Sequence, residues 1–301
     1  MNPDKPEPGL ARLPERSHVE KRSALVTGAS SGIGKECALL LGSLGFQVFA
    51  GVRRAQDGAA LVSAGHGRLH PVMIDVTDRS SIQAAVQSVG ASIDDNASFA
   101  LVNNAGITVA GPLELLPIDS LRQQLEVNVI GQVAVTQAFL PLLRARKGRI
   151  VIMGSVLGRI SPPLVAPYAA AKFALEAITD SLNLELRKWG IRVVLLEPGN
   201  IATPIWEKSK NSVLEKLDAL EPQKQELYRD TRGDIERLAA AFARGGIPSS
   251  RVAKTVAKAL TVRAPRTRYR IGLDSKFLST FAPLTPDRFR YWLTRRILSL
   301  K

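Results

Sequence analysis

The stretch SALVTGASSGIGKECALLLGSLG, residues 23–45, decides the fold. Its first six residues are a short apolar run ending in Gly28, and beyond the glycines Ile33, Leu40 and Leu44 recur at helical spacing. The order is therefore strand, glycine turn, helix. Glycines in such a turn let the backbone approach a phosphate closely, and the free N–H groups and positive end of the helix stabilise an anion. Gly28, Gly32 and Gly34 are spaced G-x-x-x-G-x-G, one residue longer between the first two glycines than the familiar dinucleotide fingerprint. Alone, the pattern also fits an ordinary glycine-rich connection.

Downstream, FQVFAGV, LHPVMI ending at Asp75, FALVNN, GRIVIMGS and IRVVLLEPG are further apolar runs. Helical patterns lie between most of them: a polar one from Ala55, one from Asp78, a long one broken near Pro117, and one over 167–188. Buried parallel strands read as continuous apolar runs, and parallel neighbours need crossovers. The chain is thus expected to be α/β, a doubly wound parallel sheet of about seven strands with helices on both faces, RYRIGL being the seventh strand. One domain over 23–273 accounts for nearly all of it. Residues 1–22, with four prolines and many charges, read as a disordered leader, 204–246 as a substrate lid, and 274–301 as a basic amphipathic extension.

Composition excludes several classes. One cysteine, Cys37, allows no internal disulfide, and on the apolar side of the first helix it reads as packing. The histidines, His18, His66 and His70, share no metal-ligand spacing, so no metal is expected. The nearly apolar stretch 38–52 is shorter than the roughly 20 residues of a membrane span, and nothing reads as a secretion signal, so a cytoplasmic location is expected. The net charge is +14, and residues 263–301 carry ten Lys/Arg against two Asp/Glu. No nucleic-acid-binding motif accompanies that charge, and no nucleic-acid partner is expected.

Tyr168 and Lys172 are four apart, which on a helix puts them on one face. A phenol ordinarily titrates near ~10, and a neighbouring ammonium favours the phenolate, giving an acid/base usable near neutrality. Ser155 closes the run GRIVIMGS at the carboxyl edge of the sheet, where ligands of open α/β sheets bind. The second strand ends Gly51-Val52-Arg53-Arg54, with Val52 where an NAD-preferring fold would place an acidic residue. Arg53 could pair there with a 2′-phosphate, so NADP(H) is the expected cofactor with NAD(H) as the alternative; the other reading of Arg53 is a solvated charge.

The glycine spacing, Asn103-Asn104-Ala105-Gly106 after the fourth strand, and Tyr168-x-x-x-Lys172 resemble, in order, the short-chain dehydrogenase/reductase family. The likeness covers roughly 22–205, and the C-terminal end resembles the branch with retinol and hydroxysteroid dehydrogenases. It implies interconversion of an alcohol and a ketone by hydride transfer, with Tyr168 as general acid/base, Ser155 on the substrate oxygen, and Asn128 of LEVNVIG supporting a water relay behind Lys172. Tyr168 and Lys172 would also contact the cofactor, Lys172 holding the nicotinamide ribose. Gly28, Ser30, Ser31, Gly32, Ile33 and Gly34 would take the phosphates. Asp75 and Val76 would contact the adenine, although an Asp there also reads as a helix cap. Asn103, Ala105 and Gly106 would line the cofactor, and Pro198, Gly199, Ile201 and Thr203 would meet its carboxamide. Homodimers or homotetramers follow from the same resemblance. A cofactor-sensing or scaffold protein without turnover is the competing class, expected to lose Tyr168 or Lys172.

In the lid, Ile205, Trp206, Val213, Leu214, Leu217, Leu220, Leu227, Leu238 and Phe242 either line a cleft for a small hydrophobic substrate or belong to core or dimer surface. Thr285-Pro286 reads as the start of a final helix with Phe289, Trp292, Leu293, Ile297 and Leu300 on one side and Arg288, Arg290, Arg295, Arg296 and Lys301 supplying charge. Such a helix either lies peripherally in an anionic membrane surface or docks on its own domain.

Overall fold

The computed structural model describes residues 21–65, 67–94, 96–202, 205–243, 246–281 and 284–297. The leader reading up to residue 20, His18, His66, Thr203, Leu300 and Lys301 lie outside the described residues, as do the side chains of Ile205, Trp206, Leu238, Phe242, Leu293 and Ile297.

The chain runs β1 (Arg22–Val26), α1 (Gly32–Ser43), β2 (Gln47–Val52), α2 (Ala55–Ala64), β3 (Leu69–Met73), α3 (Arg79–Ser92), β4 (Ser98–Asn103), α4 (Ile118–Leu125), α5 (Gly131–Ala145), β5 (Arg149–Met153), α6 (Ala166–Glu185) and β6 (Arg192–Pro198). Then come β7 (Ile201–Ala202), α7 (Ile205–Asp218), α8 (Pro222–Leu227), α9 (Arg229–Ala243), β8 (Ile247–Pro248), α10 (Ser249–Thr261), β9 (Arg268–Ile271), α11 (Leu273–Phe281) and α12 (Asp287–Ile297). Seven parallel strands form one sheet in the order β3-β2-β1-β4-β5-β6-β9, and β7 pairs with β8 apart from it. RYRI is the seventh strand, at the edge beside β6.

Each strand feeds two cores because its side chains alternate. Ala24 and Val26 pack with α1, α2 and α10 on one face, whereas Leu25 packs with α3, α5 and α6 on the other. Cys37 is fully buried in the first core, where desolvation pushes its thiol up to about 12. His70 on β3 lies with its ring 5.9 Å from that of Phe49.

Helices α4 and α5 are joined by a π turn, Glu126–Ile130, into one 28-residue helix that is long and apolar enough, by length and composition, to cross a membrane. It packs on the sheet instead, with Phe139 stacked on Phe99 of β4 at 5.8 Å. The order reverses at β1, with β2 on one side and β4 on the other, and this opens a crevice at the carboxyl ends of these strands.

Candidate active site

The first wall of the crevice is the glycine turn. Gly28 and Gly32 have φ of 65° and 53°, a region that a Cβ disfavours. A Cβ on Gly28 would lie 2.8 Å from the Ala105 Cα, and one on Gly34 would overlap the Gly28 carbonyl oxygen. Ser31, at the N-cap of α1, does not cap the helix with its side chain, so the first-turn N–H groups face the turn. Ser30 and Ser31 are exposed at its rim, while Ile33 packs against the core. This cradle fits a pyrophosphate by shape and by its N–H donors.

At the end of β2, Val52 is buried, and Arg54 is committed to Asp57 through two hydrogen bonds of 2.8 and 2.9 Å. Arg53 is exposed beside that pair, so of the two arginines it is the one free to meet a phosphate. Asp75 is not the cap of the next helix. Its Oδ1 accepts from the Thr77 N–H and hydroxyl, and the cap of α3 is Asp78, which accepts from Ser80. Val76 is buried against Gly131, where a Cβ would come within 2.8 Å of its side chain.

The loop after β4 is held from two sides. Thr27 Oγ1 accepts from the N–H groups of Asn104 and Ala105, both at 3.0 Å, and Asn104 Nδ2 donates to the Thr27 and Gly28 carbonyls. The Asn103 side chain instead turns into the core and donates to Thr136. From beneath, a buried polar stripe of Gln124, Asn128, Gln132 and Thr136 grips the loop. Asn128 accepts from the Ile107 N–H at 2.8 Å and donates to its carbonyl at 3.0 Å; Gln124 pairs with Val109 and Ile107; Gln132 reaches the Ala105 carbonyl. Residues four apart drift by ~40° per step around an α-helix. The π turn, with more residues per turn, takes back part of that drift and keeps the stripe aimed at the loop. Sequence reading singled out Asn128, quoted Thr27 and Asn104 within motifs without a role for either, and missed Gln124, Gln132 and Thr136, although polar residues at four-residue intervals in an apolar helix were the signal.

Across the crevice, Ser155 follows β5, and Tyr168 and Lys172 sit in the first two turns of α6. Pro167 at the start of α6 fixes the helical entry without losing a needed donor. Tyr168 hydrogen-bonds with Ser155, whose Oγ also accepts from the Leu157 N–H at 3.1 Å. Lys172 is buried, donates to the Met153 carbonyl at 2.6 Å, and lies 5.4 Å from the centre of the Tyr168 ring.

The expectation that Lys172 draws the phenol down to neutrality is corrected here. Burial pushes Tyr168 up to about 12 against the opposing Ser155 hydrogen bond, and burial lowers the Lys172 ammonium to about 8. Desolvation dominates both shifts, and the ammonium is turned toward the Met153 carbonyl.

Beyond β6, the Gly199 N–H donates to the Ile271 carbonyl and the Asn200 N–H to Asp274, so Pro198 and Gly199 are braced by β9 and α11. A Cβ on Gly199 would overlap the Asp274 carboxylate. Ile201 is buried and pairs with Ile247. In the segment read as a lid, Val213 and Leu217 are buried and join Ile235, with Leu214 and Leu220 partly buried beside them. Leu227 is exposed. Tyr228 donates to Glu114, tying the segment between α8 and α9 to the turn before α4. Under α7 remains a small apolar cavity bounded by Gly111, Leu115, Leu116, Val213, Leu217 and Leu220. Leu278 of α11 packs in the cluster that contains Tyr168, Val156 and Leu157. Among the described residues there is no His/Cys/Asp/Glu group that could hold a metal ion.

The short chain dehydrogenase family model matches residues 22–213, and the chain belongs to that family of oxidoreductases acting on alcohol and carbonyl groups. It is 34% identical, over 89% of its length and 94% of the relative's, to an NADPH-dependent 3-dehydrocapnine reductase of Ornithobacterium rhinotracheale. It is 35% identical, over 87% of its length and 84% of the relative's, to retinol dehydrogenase 5 of Mus musculus. A crystal structure of a short chain dehydrogenase from Burkholderia cenocepacia in complex with NADP superposes with a TM-score of 0.68 at 25% identity, covering 94% of this chain and 98% of the other.

Proposed function

We propose that the chain interconverts a hydrophobic secondary alcohol and its ketone, or a primary alcohol and its aldehyde, with NADP(H), Tyr168 serving as general acid/base. The observation that carries this reading is the placement of the Tyr168–Ser155 pair, with Lys172 one turn behind, at the same carboxyl edge of the sheet as the glycine cradle. Gly28, Gly34 and the start of α1 would hold the pyrophosphate, Arg53 the 2′-phosphate, Lys172 the ribose, and Pro198–Gly199 the carboxamide. The bound cofactor supplies or accepts hydride at the substrate carbon. Ser155 orients the substrate oxygen, and Tyr168 gives it a proton in reduction or takes one in oxidation. Near neutrality the phenol carries its proton, the form that reduction requires. Asn128 has both ends of its side-chain amide engaged by Ile107, which holds the loop beside the site.

The test is titration with NADPH and NADH followed by a screen of lipophilic alcohols and ketones in both directions. Turnover of a panel member with NADPH is expected; tight cofactor binding without turnover on a broad panel would favour the cofactor-sensing class. Arg53→Glu should weaken NADPH binding by about 10- to 100-fold, the worth of a charge-assisted hydrogen bond, and leave NADH nearly unchanged. Preference of the unmodified protein for NADH would overturn the reading of Val52 and Arg53.

The substrate class rests on the apolar lid and on α11. That helix turns Leu278 toward the Tyr168 cluster and exposes Phe277 and Phe281, while Leu284, Phe289, Tyr291 and Trp292 are exposed just beyond. Lys276, Arg288, Arg295 and Arg296 are exposed among them. Apolar rings among cations suit an anionic bilayer surface, and α11 would then join that surface to the cleft. The Arg295→Glu, Arg296→Glu double variant should lose at least about tenfold in binding to phosphatidylserine-containing vesicles, at about 1 kcal/mol for each basic residue. Equal binding to neutral and anionic vesicles would sink membrane docking. A homodimer or homotetramer belongs to the same reading, and light scattering of the purified chain checks it.

A further inference from the structure

Behind the site lies a buried ionic cluster that the acid/base chemistry does not use. Arg159, four residues past Ser155, donates to Glu176 at 2.7 Å and to Glu197 at 3.0 Å. Glu176 is one helical turn past Lys172 on α6, and Glu197 immediately precedes Pro198 on β6. From β9, Arg268 donates to Glu176 at 3.2 Å and to Asp180 at 2.6 Å, and Arg270 donates to Glu197 at 3.3 Å and to Thr280 at 2.9 Å. Ser275 of α11 closes the cluster by donating to the Glu197 carbonyl. Lys172 faces away from it, toward Met153. The cluster therefore joins the three segments that carry Ser155, the Tyr168/Lys172 helix and the Pro198–Gly199 turn.

Its two carboxyl groups lie within hydrogen-bonding reach of each other, and Glu176 Oε1 is buried with no donor among the described residues. Two carboxylates are acceptors only and repel; one proton turns the pair into a donor and an acceptor. We propose that Glu176 is a positioning residue that holds a proton toward Glu197, and that this bond seats the Pro198–Gly199 turn against the helix of Tyr168 and Lys172. The proposal rests on the reading of Pro198–Gly199 as a cofactor contact. Burial and the neighbouring Glu197 raise Glu176 from 4.5 to about 7. Glu197 remains ionised, its own burial being outweighed by hydrogen bonds from Glu176 and Arg159. When the proton leaves, two like charges face each other in a site with little water, and the end of β6 is pushed from α6.

The sign follows from a raised folded-state value: the contribution of Glu176 is complete below about 4.5 and is lost as pH rises through about 7. Glutamine keeps a neutral donor at every pH. Glu176→Gln is therefore expected to melt progressively higher than the unmodified protein between about pH 5 and about pH 8, a comparison that needs neither cofactor nor substrate. In NADPH titrations followed by fluorescence, affinity of the unmodified protein should weaken across this range, while that of Glu176→Gln stays level. Below about pH 6 Glu176→Ala should bind NADPH about tenfold more weakly than the unmodified protein, the cost of leaving a buried carboxylate without its partner, with the deficit closing as pH rises through about 7 and glutamine restoring most of the affinity. Parallel melting of Glu176→Gln and the unmodified protein at every pH would overturn the shared proton. Unaltered NADPH binding in Glu176→Ala, with only a lowered melting temperature, would overturn the positioning role. If none of the three proteins bound either nucleotide, the cofactor reading and the positioning role would both fail, and the melting curves would still decide where the proton sits.

Discussion

Tyr168→Phe is expected to lower turnover by about 10²- to 10⁴-fold, the span attributed to a positioned general acid or base, and to leave NADPH affinity within about twofold. The substitution removes one oxygen and keeps the ring. That ring packs with Val156, Leu157, Val165 and Leu278, so the cleft keeps its shape. The hydrogen bond lost is the one with Ser155, whose Oγ still accepts from Leu157. Stability should therefore fall by no more than about 1 kcal/mol, the net worth of an ordinary hydrogen bond. Steady-state rates on a substrate found by the screen, with NADPH titration and melting curves on the same preparations, provide the check. Full activity in this variant would remove Tyr168 from the chemistry, and loss of both activity and cofactor binding would make it a packing residue.

Lys172→Met should separate function from stability in the opposite way. Turnover is expected to fall by at least about 10²-fold as the positive charge one turn behind Tyr168 disappears. Cofactor affinity should fall with it if the ammonium holds the ribose. Stability should rise. Lys172 is buried with a single carbonyl partner, and its folded-state value near 8 lies below the ordinary 10.5. A depressed value means that its contribution is present above about 10.5 and lost as pH falls through about 8, so at neutral pH the charge is a cost. Replacing it with an apolar chain of similar length should therefore stabilise the protein by about 1–2 kcal/mol near neutrality, less whatever the Met153 carbonyl loses. The gain should vanish toward about pH 10. Melting below the unmodified protein at neutral pH would mean that the lysine is a structural tie.

How much was legible beforehand follows from where each signal lives. The stretch from Ser23 to Gly45 could be read because a strand, a glycine turn and a helix are local patterns, and the positive φ of Gly28 and Gly32 leaves few residue types for those places. The seventh strand could be read from RYRIGL for the same reason. The pair Tyr168 and Lys172 was visible through its helical spacing, but its electrostatics were not. Spacing says that two side chains share a face; it does not say that the ammonium turns to Met153 or that the phenol loses its water. Arg53 was a plausible phosphate partner by position, and only the bidentate Arg54–Asp57 pair decides which of two adjacent arginines remains available.

By itself the sequence determined the alternation of strands and helices, the glycine cradle and the placing of Tyr168 and Lys172 on one helix face, all set by residue type over a few neighbouring positions. The tertiary structure alone decided what meets across the sheet. It sets Asn104 against Gly28, a polar helix stripe under the loop from Asn103 to Val109, and Arg159, Glu176 and Glu197 into one buried cluster from three distant segments. These contacts join residues many positions apart, and burial, which fixes the protonation of Tyr168, Lys172 and Glu176, exists only once the layers have closed.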